Sequence, residues 1–346
     1  MSEIVLKTLS ERYGNVLENK LRDYLTRSAD PEFAPVIVYH IATGGKRVRP
    51  FLTLAFAEAC NEDPAKALPE ACAVELVHEY SLIFDDIIDH STVRRGKPTV
   101  WKMYGHSIAI LVGLWYREAI EEAILESHNP PLVAKILSEA MREIIEGERL
   151  DILLEAAGRD DPYVVDNRIV NRLSLENLEE IYMKMIRKKT AALIRTACIL
   201  GALVATKTLE HEYVKAAETY GECIGIAFQL IDDLLDIYGK FEKFGKEIGK
   251  DLKEHKLGNA IVVYTLLKAS QEDRDRILNI LRKDIITEKD IEEAIKIFDK
   301  YNAKEHVKEL ARQYMNKAIN AIRILPNSET VKQLEGLARF IVEREY

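Results

Sequence analysis

Apolar residues recur at helical spacing along most of the chain. Leu6, Leu9, Tyr13, Leu17 and Leu21 follow one another at intervals of three and four, as do Val307, Leu310, Tyr314, Ala318 and Ile322. Such a stripe is the buried face of an amphipathic α-helix. Period-two runs of β-branched residues are missing, so the pattern predicts an all-α fold of roughly ten to twelve helices. Breaks are expected at Asp30-Pro31, Thr43-Gly44-Gly45, Arg94 to Pro98, Asn129-Pro130-Pro131, Gly158 to Asn171, Gly239 to Gly249 and Leu325-Pro326-Asn327, where glycine and proline interrupt the periodic stretches. None reads as an interdomain linker, and no fixed-period repeat is present. One helical bundle spanning residues 1–346 accommodates the pattern as a single domain.

Composition agrees with an ordered globular chain, at 47% hydrophobic and 31% charged residues with 16 Gly and 10 Pro. The 49 Lys and Arg against 57 Asp and Glu leave a formal charge of −8, which excludes the basic surface of a nucleic-acid binder. No apolar run reaches the 18 or so residues of a membrane span; Ile108 to Tyr116 and Ala197 to Ala205 come to about half of that. The start Met-Ser-Glu-Ile has no export pattern, and a cytoplasmic protein is expected. Cys60, Cys72, Cys198 and Cys223 lie in apolar surroundings without Cys-x-x-Cys spacing and are expected to be buried, reduced thiols.

Two aspartate clusters carry the first chemical signal. Asp85-Asp86-Ile87-Ile88-Asp89 follows Tyr80 to Phe84, and Asp232-Asp233-Leu234-Leu235-Asp236 follows Ile224 to Ile231. Positions i and i+4 on a helix differ by about 40°, so Asp85 and Asp89 share a face, as do Asp232 and Asp236. His78 lies within about 20° of Asp85, and Gln229 about 60° from Asp232. Acidic pairs are ordinarily solvated helix surface. Here the flanking residues are apolar nearly all round, and buried carboxylates need cations or protonation. Oxygen ligands without His or Cys suit Mg2+, which keeps sites for water and phosphate oxygens. Two such claws facing each other would clamp a diphosphate through shared Mg2+.

Basic residues flank these claws. Gly44-Gly45-Lys46-Arg47-Val48-Arg49-Pro50 leads into a helix, where backbone N–H groups with Lys46 and Arg49 make an anion site. Arg94-Arg95-Gly96-Lys97-Pro98 follows the first claw, where cations also suit the helix dipole. Arg187-Lys188-Lys189-Thr190 interrupts an apolar helix. Lys246 sits in a glycine-rich stretch after the second claw, with Lys256 beyond it. Taken singly, each of these is also an ordinary solvated charge.

In this order, GGKRVRP at 44 to 50, ELVHEYSLIFDDIIDHSTVRRGKPT at 75 to 99, KKTAAL at 188 to 193, FQLIDDLLD at 228 to 236 and GKEIGKDL at 245 to 252 resemble the trans-isoprenyl diphosphate synthases. The resemblance implies the all-α bundle of that family with a central substrate cavity, and a homodimer. It implies about three Mg2+ held on an allylic diphosphate by Asp85, Asp89 and Asp232, with Asp86, Asp233 and Asp236 in support. Arg94, Lys189, Lys246 and Lys256 would add positive charge there. Isopentenyl diphosphate would sit on Lys46, Arg49, His78 and Arg95. Thr190, Gln229 and the carbonyl of Lys189 would steady an allylic cation. Tyr80, five residues before Asp85, and the small Ser81 resemble the chain-length floor of the archaeal type of geranylgeranyl diphosphate synthase.

The expected reaction condenses isopentenyl diphosphate with dimethylallyl, geranyl or farnesyl diphosphate to give geranylgeranyl diphosphate and pyrophosphate. Farnesyl or geranylfarnesyl diphosphate are the alternative products. Phe84 stands where the family often has His, Leu114 where Gly-Asp is common, Glu148 where Gln is usual, and Gly258-Asn259 where Thr is frequent. These departures bear on product and rate. A class I terpene cyclase carries a different second metal motif, and a non-catalytic subunit has no use for two intact claws.

Overall fold

The computed structural model describes the backbone of residues 2–155, 175–239 and 249–343, and the side chains of these from residue 10 onward. The expected break at Gly158 to Asn171, and most of that at Gly239 to Gly249, lies outside the described residues. Helices run in chain order as α1 (Ser2–Thr26), α2 (Ala34–Tyr39), α3 (Val48–Ala59), α4 (Leu68–Ile88), α5 (Val100–Tyr104), α6 (His106–Leu125) and α7 (Pro130–Glu155). They continue as α8 (Leu175–Ile186), α9 (Ala192–Thr206), α10 (Glu212–Tyr238), α11 (Lys250–Lys253), α12 (Ala260–Lys268) and α13 (Gln271–Leu281). The last are α14 (Glu288–Lys300), α15 (Ala303–Ala321) and α16 (Ser328–Glu343). The all-α fold is as the periodicity predicts. The helices outnumber the expectation because short turns at Gly105, Ala269-Ser270 and Lys283 to Thr287 divide stretches that read as continuous.

Among the described residues the only strands are β1 (Val93–Arg94) and β2 (Lys97–Pro98), an antiparallel pair pairing Arg94 with Lys97. The turn between them has φ of 53° at Arg95 and 73° at Gly96. Positive φ at both central residues matches the right-handed twist of a tight hairpin. This turn replaces the plain loop that Arg94 to Pro98 suggests.

The helices group into two compact units. One contains residues 1–142, 193–221 and 319–337, the other the described parts of 143–192, 222–318 and 338–346. In the first unit α4 and α6 form the most extensive pairing, and α1 covers them with Leu17, Leu21 and Leu25, all fully buried. Each such leucine contributes about 1.5–3 kcal/mol of transfer free energy. Phe84 of α4 packs on Gly113 of α6, where an added Cβ would lie 2.4 Å from the ring. Tyr220 donates from its hydroxyl to the Leu334 carbonyl at 2.8 Å and meets the Phe56 ring at 5.3 Å.

The second unit buries the apolar faces of α8, α10, α12 and α14. A Thr287–Asp290 capping box starts α14, and Asn259 and Ser270 cap α12 and α13. Along α15 the buried side is Val307, Ala311, Met315, Ala318 and Ile322, with Leu310 and Tyr314 half-buried beside it, so the stripe read from sequence is rotated by part of a turn. One helix, Leu175–Thr206, is apolar and long enough to cross a membrane by composition, and 67% of its apolar window is packed inside the chain. All four cysteines are buried and free, as their surroundings predict.

Close approach rather than side-chain bulk sets the α9–α3 crossing. A Cβ on Gly201 would lie 2.1 Å from the Thr53 carbonyl oxygen, so the two backbones meet where only glycine fits. Gly201→Ala should lower stability by about 1–3 kcal/mol. Gly14→Ala in α1, where the nearest atom is the Ser10 hydroxyl at 3.2 Å, should instead be neutral or raise stability by up to about 1 kcal/mol. Thermal melts of both variants check this, and an unchanged Tm for Gly201→Ala would contradict the close contact.

Candidate active site

The first claw lies at the C-terminal end of α4. The helix ends at Ile88, so Asp89 is its capping residue, at φ −81° and ψ 0°. Its N–H donates to the Asp85 carbonyl at 2.8 Å, which keeps both residues one turn apart on the same side. Asp85 is half-buried and Asp89 exposed, whereas the middle residue Asp86 is buried. The sequence suggests burial of whole claws; the structure buries only their centres. Arg94 Nε donates to Asp86 Oδ1 at 2.8 Å, and Asp86 Oδ2 is buried without a hydrogen bond. Burial raises the Asp86 carboxyl above its usual range, and Arg94 offsets this only in part. Arg94, predicted to contact a diphosphate, is thus tied to the claw itself and remains part-exposed.

Upstream on α4, the residues predicted to bind the second diphosphate converge. Arg49 Nη1 lies 3.2 Å from His78 Nε2. Burial and the neighbouring Arg49 charge pull the imidazole well below its ordinary value, so His78 is neutral and its Nε2 accepts from the guanidinium. Arg95, projecting from the hairpin turn, reaches the Gly44 carbonyl and donates to Glu79 at 2.9 Å. Lys46 is exposed on the same loop. Between these cations lie two acids that sequence reasoning did not single out. Arg47, in the left-handed region at φ 48°, donates to Glu18 at 2.7 Å, Glu75 at 2.9 Å and Glu79 at 2.6 Å. Arg47 therefore anchors the loop, while Arg95 shares Glu79 with it and Arg49 stands against His78. The signal that exposes the claws, acids inside an apolar helix, also marks Glu75 and Glu79.

The second claw has the same division of labour within the second unit. Asp233 is buried, while Asp232 and Asp236 are half-buried. Asp233 accepts from the Tyr182 hydroxyl at 2.6 Å, Gln229 Nε2 at 2.8 Å and the Ala260 N–H at 2.8 Å. Burial, and next the Asp251 charge, raise its carboxyl well above the usual range despite these donors. Gln229 in turn accepts from the Thr190 hydroxyl at 2.7 Å. A chain of hydrogen bonds thus joins the claw to Lys189-Thr190, which lie in a π-helical turn, Arg187–Ala191. Such a turn inside an α-helix commonly marks a functional site. It is pressed between glycines: an added Cβ on Gly147 would lie 2.3 Å from the Lys189 nitrogen, and one on Gly225 would lie 2.5 Å from Ala191 Cα.

Lys189 Nζ lies 2.7 Å from Glu148 and 2.6 Å from Asp151. Burial alone would raise Asp151, yet Lys189 and Lys256 hold its carboxyl below the usual range. Burial lowers and Asp151 and Asp251 raise the Lys256 ammonium, with the acids prevailing. Asp251 donates its N–H to Asp236 at 3.0 Å and accepts from Asn259 at 3.0 Å. The contacts of Tyr182, Asp251 and Asn259 with the second claw join segments that meet only in the fold. Lys246 lies outside the described residues.

No group of three or more His, Cys, Asp or Glu side chains among the described residues converges to hold a metal unaided. Two accessible carboxylates on each claw would suit a hard cation that fills its shell with water and phosphate oxygens.

The family model for polyprenyl synthetase matches residues 30–298. The chain belongs to the polyprenyl synthetase family. Its chemistry is trans-prenyl chain elongation. A short chain isoprenyl diphosphate synthase from Methanothermobacter thermautotrophicus is 34% identical over 338 residues, covering 97% of both chains. The crystal structure of a geranylgeranyl pyrophosphate synthetase from Pyrococcus horikoshii is 34% identical with TM-score 0.86, covering 99% of each chain. A polyprenyl synthase from Caulobacter crescentus, solved with calcium and isoprenyl diphosphate, is 29% identical with TM-score 0.82 and covers 99% of this chain and 98% of its own. Use of a divalent metal goes with the family.

The acids beneath the basic loop make stability depend on pH. Burial and the adjacent Glu79 raise the Glu75 carboxyl from its ordinary 4.5, against the pull of Arg47 and Arg49. The folded chain therefore holds this proton to higher pH than the unfolded chain does. The corresponding stability is present at low pH and lost as the pH rises above that ordinary value towards neutrality. Tm of the wild type relative to Glu75→Gln should fall between about pH 5 and about pH 8; a constant difference would contradict it.

Proposed function

We propose that this chain condenses isopentenyl diphosphate with dimethylallyl, geranyl and farnesyl diphosphates, releasing pyrophosphate and yielding geranylgeranyl diphosphate. The observation that carries the proposal is the layout of α4. His78, with Arg49 and the hairpin Arg95 beside it, precedes Asp85 by seven residues on one helix face. Such a helix offers a metal-free cationic pocket and a metal-ready claw about two turns apart.

In this proposal Asp85, Asp89 and Asp232 would hold about three Mg2+ for the allylic diphosphate, with Asp86, Asp233 and Asp236 in support. Mg2+ held there would supply positive charge to the departing pyrophosphate. Arg94, Lys189, Lys246 and Lys256 add fixed positive charge around it. Lys46, Arg49, His78 and Arg95 hold isopentenyl diphosphate by its diphosphate. The Thr190 hydroxyl, Gln229 and the Lys189 carbonyl turn dipoles toward the allylic cation as the C–O bond ionises. The alkene attacks that cation, and the released pyrophosphate accepts the proton then lost. The Thr190–Gln229–Asp233 hydrogen bonds support this assignment, since they pre-orient two of the three dipoles.

Tyr80 is proposed as the floor under the growing chain. Its ring packs 5.0 Å from that of Phe84, and Ser81 turns its hydroxyl back onto the His78 carbonyl at 2.8 Å, leaving a small apolar face. Geranylgeranyl length fits one aromatic floor, and the Pyrococcus neighbour carries that product in its name. A homodimer, implied by the family, belongs to the same proposal, as do a single domain and a cytoplasmic location, which rest on the sequence.

Purified chain incubated with Mg2+, labelled isopentenyl diphosphate and each allylic primer should consume the label. Asp85→Asn should lower kcat by about a hundredfold or more with the fold intact; absence of turnover in the wild type with every primer would sink the proposal. Chromatography of the dephosphorylated products should show Tyr80→Ala shifting the distribution to longer chains, and an unchanged distribution would place the floor elsewhere.

A further inference from the structure

Glu79 is fully buried, and a carboxylate is rarely so unless it is paired. Its partners come from three separate segments. His40, at the end of α2, places Nε2 at 2.8 Å from Oε2. Arg47, at the start of α3, donates to Oε1 at 2.6 Å, and Arg95, from the hairpin turn, donates to the same oxygen at 2.9 Å. Arg95 and Arg47 also both reach the Gly44 carbonyl. Gly44 and Gly45 have φ of 97° and 149°, and a Cβ on Gly45 would lie 2.8 Å from Arg47 Nη1 and 3.2 Å from the Arg95 guanidinium. The glycine loop is therefore folded over the two guanidinium groups, and Glu79 is the anion beneath both.

We propose that Glu79 is a positioning residue for the isopentenyl diphosphate pocket, holding Arg95, and with it the Gly44-Gly45 loop, in the geometry that receives the diphosphate. The proposal rests on the function proposed above. Glu79 does not touch the substrate; it acts through Arg95. Burial would raise the carboxyl, but His40 Nε2 at 2.8 Å and the Arg95 guanidinium hold it below the usual range. Without this anion Arg95 has only the carbonyl of Gly44 and the hydroxyl of Thr43 near it on the loop. Its long side chain would then sample other rotamers, and a share of binding energy would go to ordering it.

The test is steady-state kinetics of Glu79→Gln and Glu79→Asp, with calorimetric titration of isopentenyl diphosphate in parallel. Glu79→Gln should raise KM and Kd for isopentenyl diphosphate about tenfold, with KM for the allylic substrate and kcat within about twofold. Glu79→Asp keeps the charge next to Arg47 and should show a smaller rise of the same selectivity. In an Arg95→Gln background, Glu79→Gln should add no more than about twofold. Equal rises for both substrates, no rise in isopentenyl KM, or additive losses in the double variant would overturn the proposal. Should Glu79→Gln lose its helical signal, the Glu79→Asp split decides in the same way. A wild type that turns over while the variants show no split sinks the positioning role alone; one that neither binds nor consumes isopentenyl diphosphate sinks the proposed function with it.

Discussion

A carboxylate taken out of water persists only where cations or donors surround it, and three of them organise what the described residues do. Glu79, Asp86 and Asp233 are each buried inside a helix pairing and each draw in distant segments. Glu79 gathers His40, Arg47 and Arg95. Asp86 holds Arg94, and Asp233 holds Tyr182, Gln229 and the start of α12. Losing one partner of such a pair is costly because the other stays buried without compensation. These acids therefore fix where loops and side chains stand. The outer aspartates are less buried than these centres.

The same economy of design recurs in the backbone. Gly147 and Gly225 let two helices close on the π-helical turn at Lys189-Thr190, and Gly45 lets a loop lie on two guanidinium groups. In each case the absence of a Cβ brings polar groups to fixed positions that a larger residue would displace. Preorganised dipoles and charges of this kind require no rearrangement as charge develops in a reaction.

Helical periodicity, the two claws and the basic segments were all legible in the sequence, because each is a local pattern of a few residues. What stayed hidden was long-range. Glu79 reads as one more acid after His78 until Arg95 folds back on it from a hairpin of two-residue strands. Tyr182 looks like an ordinary core aromatic, and only the crossing of α8 with α10 brings its hydroxyl to Asp233. On α15 the apolar Leu310 and Tyr314 flank the core beside the buried Val307 and Ala318, whereas the small Ala311 enters it. Size against a neighbouring helix decides burial there, and that is absent from a single-helix pattern. Lys189, expected to add positive charge beside a diphosphate, is shared by Glu148 and Asp151.

The central claim is that anchored aspartates present their neighbours to metal while a separate cationic pocket takes the second diphosphate without it. A crystal structure of the chain with Mg2+, isopentenyl diphosphate and an unreactive allylic diphosphate analogue tests this most directly. Metal density on Asp85, Asp89 and Asp232, with the isopentenyl diphosphate on Arg49, His78 and Arg95 and free of metal, is the predicted result. Metal bound to the isopentenyl diphosphate, or either claw without a cation at saturating Mg2+, would contradict it.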